Sequence, residues 1–317
     1  MYYTFVDIPI YPYKLTYKDK SFWIGSCFTT NIGNAIKQLK FHCEINPFGA
    51  LFNPMSILSG LNLLLQKKTI SSNNLFQANE LWNSFLFHSS FSDIEQEKTL
   101  STMNSRIISA GNVLSESKFL FITFGTAYVF KLKSSGEIVG NCHKLPSNEF
   151  YRERLTVEEI TKEYSAFIQE IVQQCPNIKI VFSVSPIRHL SDGAHNNQLS
   201  KSILLMAIDN LINKYSDTCF YFPSYEIVLD ELRDYRFYDN DMCHISQLTI
   251  DHIKEKFINS MISATDSEII KEIAKLNSSR LHKPSHTNTQ TYKSFIAKID
   301  EREAALKELY PYLCWDS

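Results

Sequence analysis

Phe22-Trp23-Ile24-Gly25-Ser26-Cys27-Phe28 begins as an apolar run and ends in three small residues, and Thr29-Thr30-Asn31 opens a helical pattern behind it. An unbroken apolar run is expected of a strand covered on both faces, as in a parallel sheet. Gly25 and Ser26 permit a sharp turn from strand to helix. A plain turn is one reading. The other is a nucleophile held at the carboxyl end of a strand, where open α/β sheets form their sites.

Runs of the same kind recur at Phe41–Ile45, Lys118–Gly125, Ile178–Pro186 and Cys219–Val228. Helical patterns lie between them. Thr156 and Glu159 form a capping box, and Val157, Ile160, Tyr164, Phe167, Ile168, Ile171 and Val172 keep helical spacing until Pro176. Asn197–Tyr215 repeats the pattern through Leu199, Ile203, Met206 and Leu211, and Ser246–Ile262 through Ile250, Ile253, Phe257 and Met261. Strands alternating with helices predict an α/β domain with a parallel sheet wrapped on both faces. The α/β domain is expected over 1–265, with 67–116 an insertion able to cover a site. Residues 266–317 read as a helical C-terminal appendage with a Ser/His/Thr-rich break at Ser278–Thr291.

The 317 residues carry a net charge of -2, with 44% hydrophobic and 21% charged residues, which suits a globular domain and gives no basic surplus for nucleic acid or an anionic membrane. No apolar run reaches transmembrane length, and the N-terminal stretch lacks the pattern of a secretory signal. Seven scattered cysteines make a poor disulfide framework, and a cytoplasmic location is expected.

A second chemical signal is Tyr238–Ser246, "YDNDMCHIS", where Asp241 and His244 stand three apart before a helix. In a turn leading into that helix both side chains project to one side. Asp241 then holds the imidazole in one tautomer, and the other ring nitrogen faces a nucleophile. Ser26, His244 and Asp241 supply nucleophile, base and orienting group. A surface Asp–His pair at a helix start is the plainer reading. Cys27 is the rival nucleophile. The adjacent pairs His42-Cys43, Cys142-His143 and Cys243-His244 invite a metal reading, but none shows zinc-ligand spacing, so no metal and no cofactor are expected.

"FWIGSCFTTNIG", "NPFGALFNP", "GNCHKLP", "SVSPIRHLSDG" and "DMCHIS" follow one another in that order between Ser21 and Ser246. Together they resemble the GSCFA family, a branch of the SGNH/GDSL hydrolases, with Thr29 in place of the terminal Ala of Gly-Ser-Cys-Phe-Ala. The resemblance implies a three-layer α/β/α, flavodoxin-like fold, with Ser26 as nucleophile and Asp241 and His244 in the final block. It also implies an oxyanion hole, for which the N–H groups of Ser26 and Gly49 are the candidates. The superfamily's Gly-x-Asn-Asp block reads Gly125-Thr126-Ala127-Tyr128 here, so its Asn is missing. Asn141 is a replacement, and His143 and Lys144 stand beside it; a simple turn after Gly140 is the alternative.

Arg188 and His189 follow the fourth strand and, with Gly125, Thr126, His143 and Lys144, are the substrate-binding candidates. The expected activity is that of a serine esterase or acyltransferase on a small-molecule or carbohydrate ester. The alternative is a non-catalytic glycan- or partner-binding module on the same fold.

Overall fold

The structure, a computed structural model, describes residues 4–281 and 288–315. The chain runs β1 (Lys20–Gly25), α1 (Cys27–Gln38), β2 (His42–Ile45), α2 (Pro54–Leu65), β3 (Phe76–Ala78), β4 (Leu81–Asn83), α3 (Gln96–Glu116) and β5 (Ser117–Phe124). It continues through β6 (Tyr128–Leu132), β7 (Ile138–Val139), β8 (Phe150–Arg154), α4 (Val157–Gln174), β9 (Lys179–Val184), α5 (Ala194–Lys214) and β10 (Cys219–Tyr221). The short α6 (Ser224–Glu226), α7 (Gln247–Met261), α8 (Ser267–Leu281) and α9 (Gln290–Leu309) complete it.

The central sheet has five strands in the order β10-β9-β5-β1-β2, and every pairing is parallel. Taken in chain order its strands lie 2-1-3-4-5, the flavodoxin-like arrangement. Successive strand side chains point to opposite faces, so one apolar run feeds two cores. Phe22, Ile24, Leu120, Ile122, Phe124, Ile180, Phe182 and Val184 face a layer built from α2, α3, α4 and α5. Trp23, Phe119, Phe121 and Val181 face the other layer, with α1 and α7 against them. Trp23 stacks on Phe121 at 4.0 Å between ring centroids, and Phe257 of α7 leans on both. This is a three-layer α/β/α fold.

The C-terminal helices share the second core. Ile269, Ile270, Ile273 and Leu276 of α8 and Ile299 and Leu306 of α9 are buried in the same cluster as Trp23 and Phe28. Part of the break expected at Ser278–Thr291, residues 282–287, lies outside the described residues. Among the described residues no helix is long and apolar enough to cross a membrane.

Several elements differ from the sequence expectation. Of residues 67–116, 76–83 form the β3–β4 hairpin. Gln96–Glu116 is instead α3, which buries Met103, Ile107, Ala110 and Leu114 in the first core ahead of β5. The run Cys219–Val228 is a strand only to Tyr221. Beyond Pro223 the buried Tyr225, Ile227 and Val228 belong to α6 and a π-helical turn, Ile227–Glu231. A separate antiparallel sheet, β7-β6-β8, fills 128–154. The capping box of α4 forms as read: Glu159 N–H donates to Thr156 Oγ1 at 3.1 Å and Thr156 N–H to Glu159 Oε2 at 2.7 Å.

α5 buries a different face from the one its leucines suggest. Asn197, Ser200, Lys201, Leu204, Ala207, Ile208 and Leu211 are inside, while Leu199 and Met206 are exposed. The inner face begins with three polar residues, and these reach the carboxyl edge of the sheet.

Candidate active site

Ser26 is the N-cap residue of α1, directly after β1, and is 1% exposed. Gly25 makes the turn possible with φ +151°. A Cβ there would stand 2.3 Å from the Thr123 carbonyl oxygen on β5 and 2.6 Å from Thr29 Oγ1. The Ser26 hydroxyl is buried without a hydrogen-bond partner, as is that of Thr29 one turn on. Buried hydroxyls are ordinarily paired, and an exception calls for an explanation, of which a catalytic role is one.

The loop after β2 is tied across this edge by Asn46. Its Oδ1 accepts from Gly25 N–H at 2.8 Å, and its Nδ2 donates to Thr30 Oγ1 at 2.8 Å and to the Ser26 carbonyl at 3.3 Å. Leu51 N–H donates to the Gly25 carbonyl at 2.9 Å. The Phe52 carbonyl accepts from Gly125 N–H at 2.8 Å and Thr126 N–H at 3.0 Å. Loop 46–53 is therefore stitched to the ends of β1 and β5.

Asp241 and His244 meet as the sequence suggests. His244 Nδ1 donates to Asp241 Oδ2 at 2.5 Å, because a carboxylate can only accept. Asp241 Oδ1 accepts the N–H groups of Cys243 and His244 at 2.9 and 2.8 Å. The hydrogen bond from the His244 ring, then these two backbone donors, hold the Asp241 carboxyl down at about 2. Asp241 is therefore ionised above about pH 3, and His244 is held with Nε2 turned away from its partner. Both side chains are about half exposed, with 53% for His244 and 51% for Asp241. The Ser26 hydroxyl and His244 make no hydrogen bond in this state.

The remaining candidates divide. Gly49 adopts φ +83° and packs on His88, but its N–H donates to the Asn46 carbonyl at 2.8 Å and is committed to that turn. Asn141 donates its N–H to the Phe85 carbonyl and accepts His143 N–H on Oδ1 at 2.9 Å. His143 Nε2 bonds the Ser84 carbonyl at 2.8 Å, and burial pushes its pKa down. Lys144 is exposed in the left-handed region, with φ +58°. Asn141 and His143 thus shape a turn against residues 84–88. Gly125 and Thr126 stand at the sheet edge with their N–H groups already donated, and Thr126 Oγ1 lies 3.1 Å from Ser200 Oγ.

His189 stands with its ring 5.8 Å from that of Phe52, edge to face, and its N–H donates to Asn197 Oδ1 at 2.9 Å. Burial, then the charge of Lys201, pulls His189 down to about 4, with Arg152 and His244 adding to the pull and Asp192 opposing. His189 is thus a neutral ring at pH 7 within electrostatic range of His244.

Lys201 is a residue that sequence reasoning missed. It is 0% exposed, and its ammonium donates to the carbonyls of Gly125 and Ser185, each at 2.6 Å, joining the ends of β5 and β9. Burial, then Arg188, pushes its pKa down to about 7, while Cys27 opposes. Burial pushes the Cys27 thiol up, against its own and Phe28's N–H groups and the Lys201 charge. The signal available in the sequence was its helical spacing to Leu204, Ile208 and Leu211.

The depressed value fixes a sign. Below about pH 7 folded and unfolded chains both carry the Lys201 proton, and the cost of burying the charge is fully present. Between about 7 and the unfolded value the folded chain has shed it, so stability rises with pH through this window. The denaturation midpoint of wild type relative to Lys201→Met is expected to rise between pH 6 and 9; a flat difference would contradict the assignment.

The sequence profile of the GSCFA family matches residues 20–257. That interval holds Ser26, the Asp241–His244 pair, Lys201 and all five strands of the central sheet. No match to the chain is found among curated proteins.

Proposed function

The chain belongs to the GSCFA family, and we propose that it is a serine acyl-transfer enzyme of the SGNH type, an esterase or acyltransferase acting on a small acyl ester such as an acetylated carbohydrate. Two observations support the reading: the Asp241–His244 pair is formed, and the Ser26 hydroxyl at the end of β1 is buried without a partner.

In this reading Ser26 Oγ attacks the ester carbonyl as its proton passes to His244 Nε2. Asp241 stabilises the resulting imidazolium. The tetrahedral oxyanion faces the N-terminus of α1, where first-turn N–H groups and the helix dipole favour negative charge. Collapse expels the alcohol, which takes the proton from His244. Water or an acceptor hydroxyl then attacks acyl-Ser26 through the same base. Gly49 would join the oxyanion hole only if its N–H left the Asn46 carbonyl. The reading requires His244 Nε2 to reach Ser26 Oγ with substrate bound, since the two make no hydrogen bond here. Catalytic hydrogen bonds commonly tighten only with substrate bound.

Hydrolysis of 4-nitrophenyl acetate and of an acetylated sugar by wild type and Ser26→Ala tests this, with a chelator as control. Loss of turnover on the order of a thousandfold in Ser26→Ala, insensitive to chelator, is the expected result. A non-catalytic binding module is the second reading, favoured by the Ser26 hydroxyl being enclosed and unbonded to His244. It predicts no Ser26-dependent turnover of either ester.

A further inference from the structure

Arg188 lies just past β9, exposed, and makes no hydrogen bond or ion pair with any described residue. Arg152 nearby shows the ordinary alternative. It is clamped on Asp192 through two hydrogen bonds, 2.7 and 2.6 Å long, and stacks on Tyr128 and Phe130. Arg188 follows β9 by four residues, and Lys201 bonds the Ser185 carbonyl three residues before it, so both basic groups belong to the same strand end. Lys201 is a second cation there, enclosed, with two carbonyls and no carboxylate as partners. Buried charges are ordinarily matched by an opposite charge.

The acids of this region are already engaged. Asp241 holds His244, and Asp192 holds Arg152. Glu226 accepts from the Tyr221 hydroxyl, and Asp230 stands 3.7 Å from Arg233. Among the described residues, the two basic groups past the end of β9, Arg188 and, below about pH 7, the Lys201 ammonium, have no carboxylate partner.

We propose that an anionic group of the substrate completes this site: the ester brought to Ser26 carries a carboxylate or a phosphate, gripped by the Arg188 fork with the Lys201 ammonium beneath it. A guanidinium matches the geometry of either oxyanion through paired hydrogen bonds. Burial and Arg188 together push the Lys201 proton off; a bound anion opposes both effects. This names a substrate class for the acyl-transfer reading and rests on it for the position of the reacting bond.

Calorimetry on the full chain with glucuronate, glucose 6-phosphate and glucose tests the proposal without requiring turnover. Wild type is expected to bind at least one charged sugar about tenfold or more tightly than glucose, the scale of a charge-assisted contact. Arg188→Gln is expected to lose that preference, and Arg188→Lys to keep part of it. Glucuronate ahead of glucose 6-phosphate assigns the carboxylate; the reverse order assigns the phosphate. Absent or equal binding of charged and neutral sugars in wild type, or a preference retained in Arg188→Gln, overturns the proposal. If Ser26→Ala abolishes no turnover while the charge preference holds, it is the acyl-transfer reading that fails and not the anion site.

Discussion

His244→Ala is expected to lower ester turnover on the order of a thousandfold while leaving the fold intact. The imidazole is half exposed on a turn, so its removal opens no core cavity. What is lost is the base for Ser26 and the acid for the leaving alcohol. Asp241→Asn should approach the same loss by a different route. An amide can donate to Nδ1 and favour the tautomer whose Nε2 carries the proton and cannot accept one from Ser26. It also replaces a carboxylate held at about 2, which stays ionised through the whole neutral range. Single-turnover assays of both variants, with thermal melts as a control for folding, would check this. Near wild-type turnover in His244→Ala would remove the relay from the account.

Gly25→Ala is expected to be the most destabilising single-methyl change at the site, by about 2–5 kcal/mol from strain at positive φ and overpacking together. The added carbon would meet the Thr123 carbonyl oxygen at 2.3 Å, and that atom is fixed by the pairing of β1 with β5. Neither strand can yield without disturbing the register Gly25↔Thr123. Thr29 Oγ1, at 2.6 Å, could rotate away, so the backbone clash decides the sign. Chemical denaturation measures it. Gly136→Ala, where an added Cβ meets nothing within 4 Å at φ +74°, is the reference for a positive φ without a clash. Equal losses in the two variants would show that packing at Gly25 does not matter.

Local pattern decided what the sequence could reveal. The strand Lys20–Gly25 and the turn at Ser26 were legible because an apolar run ending in Gly-Ser has few other uses in a parallel sheet. The Asp241–His244 pair was legible because its geometry is set within four residues. The inner face of α5 was not: Asn197, Ser200 and Lys201 occupy buried positions, and a reading by hydrophobic spacing follows the leucines outward. Tyr225, Ile227 and Val228 prolonged β10 on paper because a short apolar run does not distinguish a buried strand from a buried helical turn. The bonds that commit Gly49 and Asn141 join them to Asn46 and Phe85, and no spacing rule announces such partners. Asn46 stood in view within "NPFG", yet its three bonds to Gly25, Ser26 and Thr30 depend on β2 lying beside β1.

The most direct test of the central claim is to treat the protein with a fluorophosphonate, which reacts with activated serines, and to locate the adduct by peptide mass spectrometry. The account predicts a single adduct on Ser26, absent in Ser26→Ala and strongly slowed in His244→Ala. An adduct elsewhere, or equal labelling of wild type and His244→Ala, would contradict it.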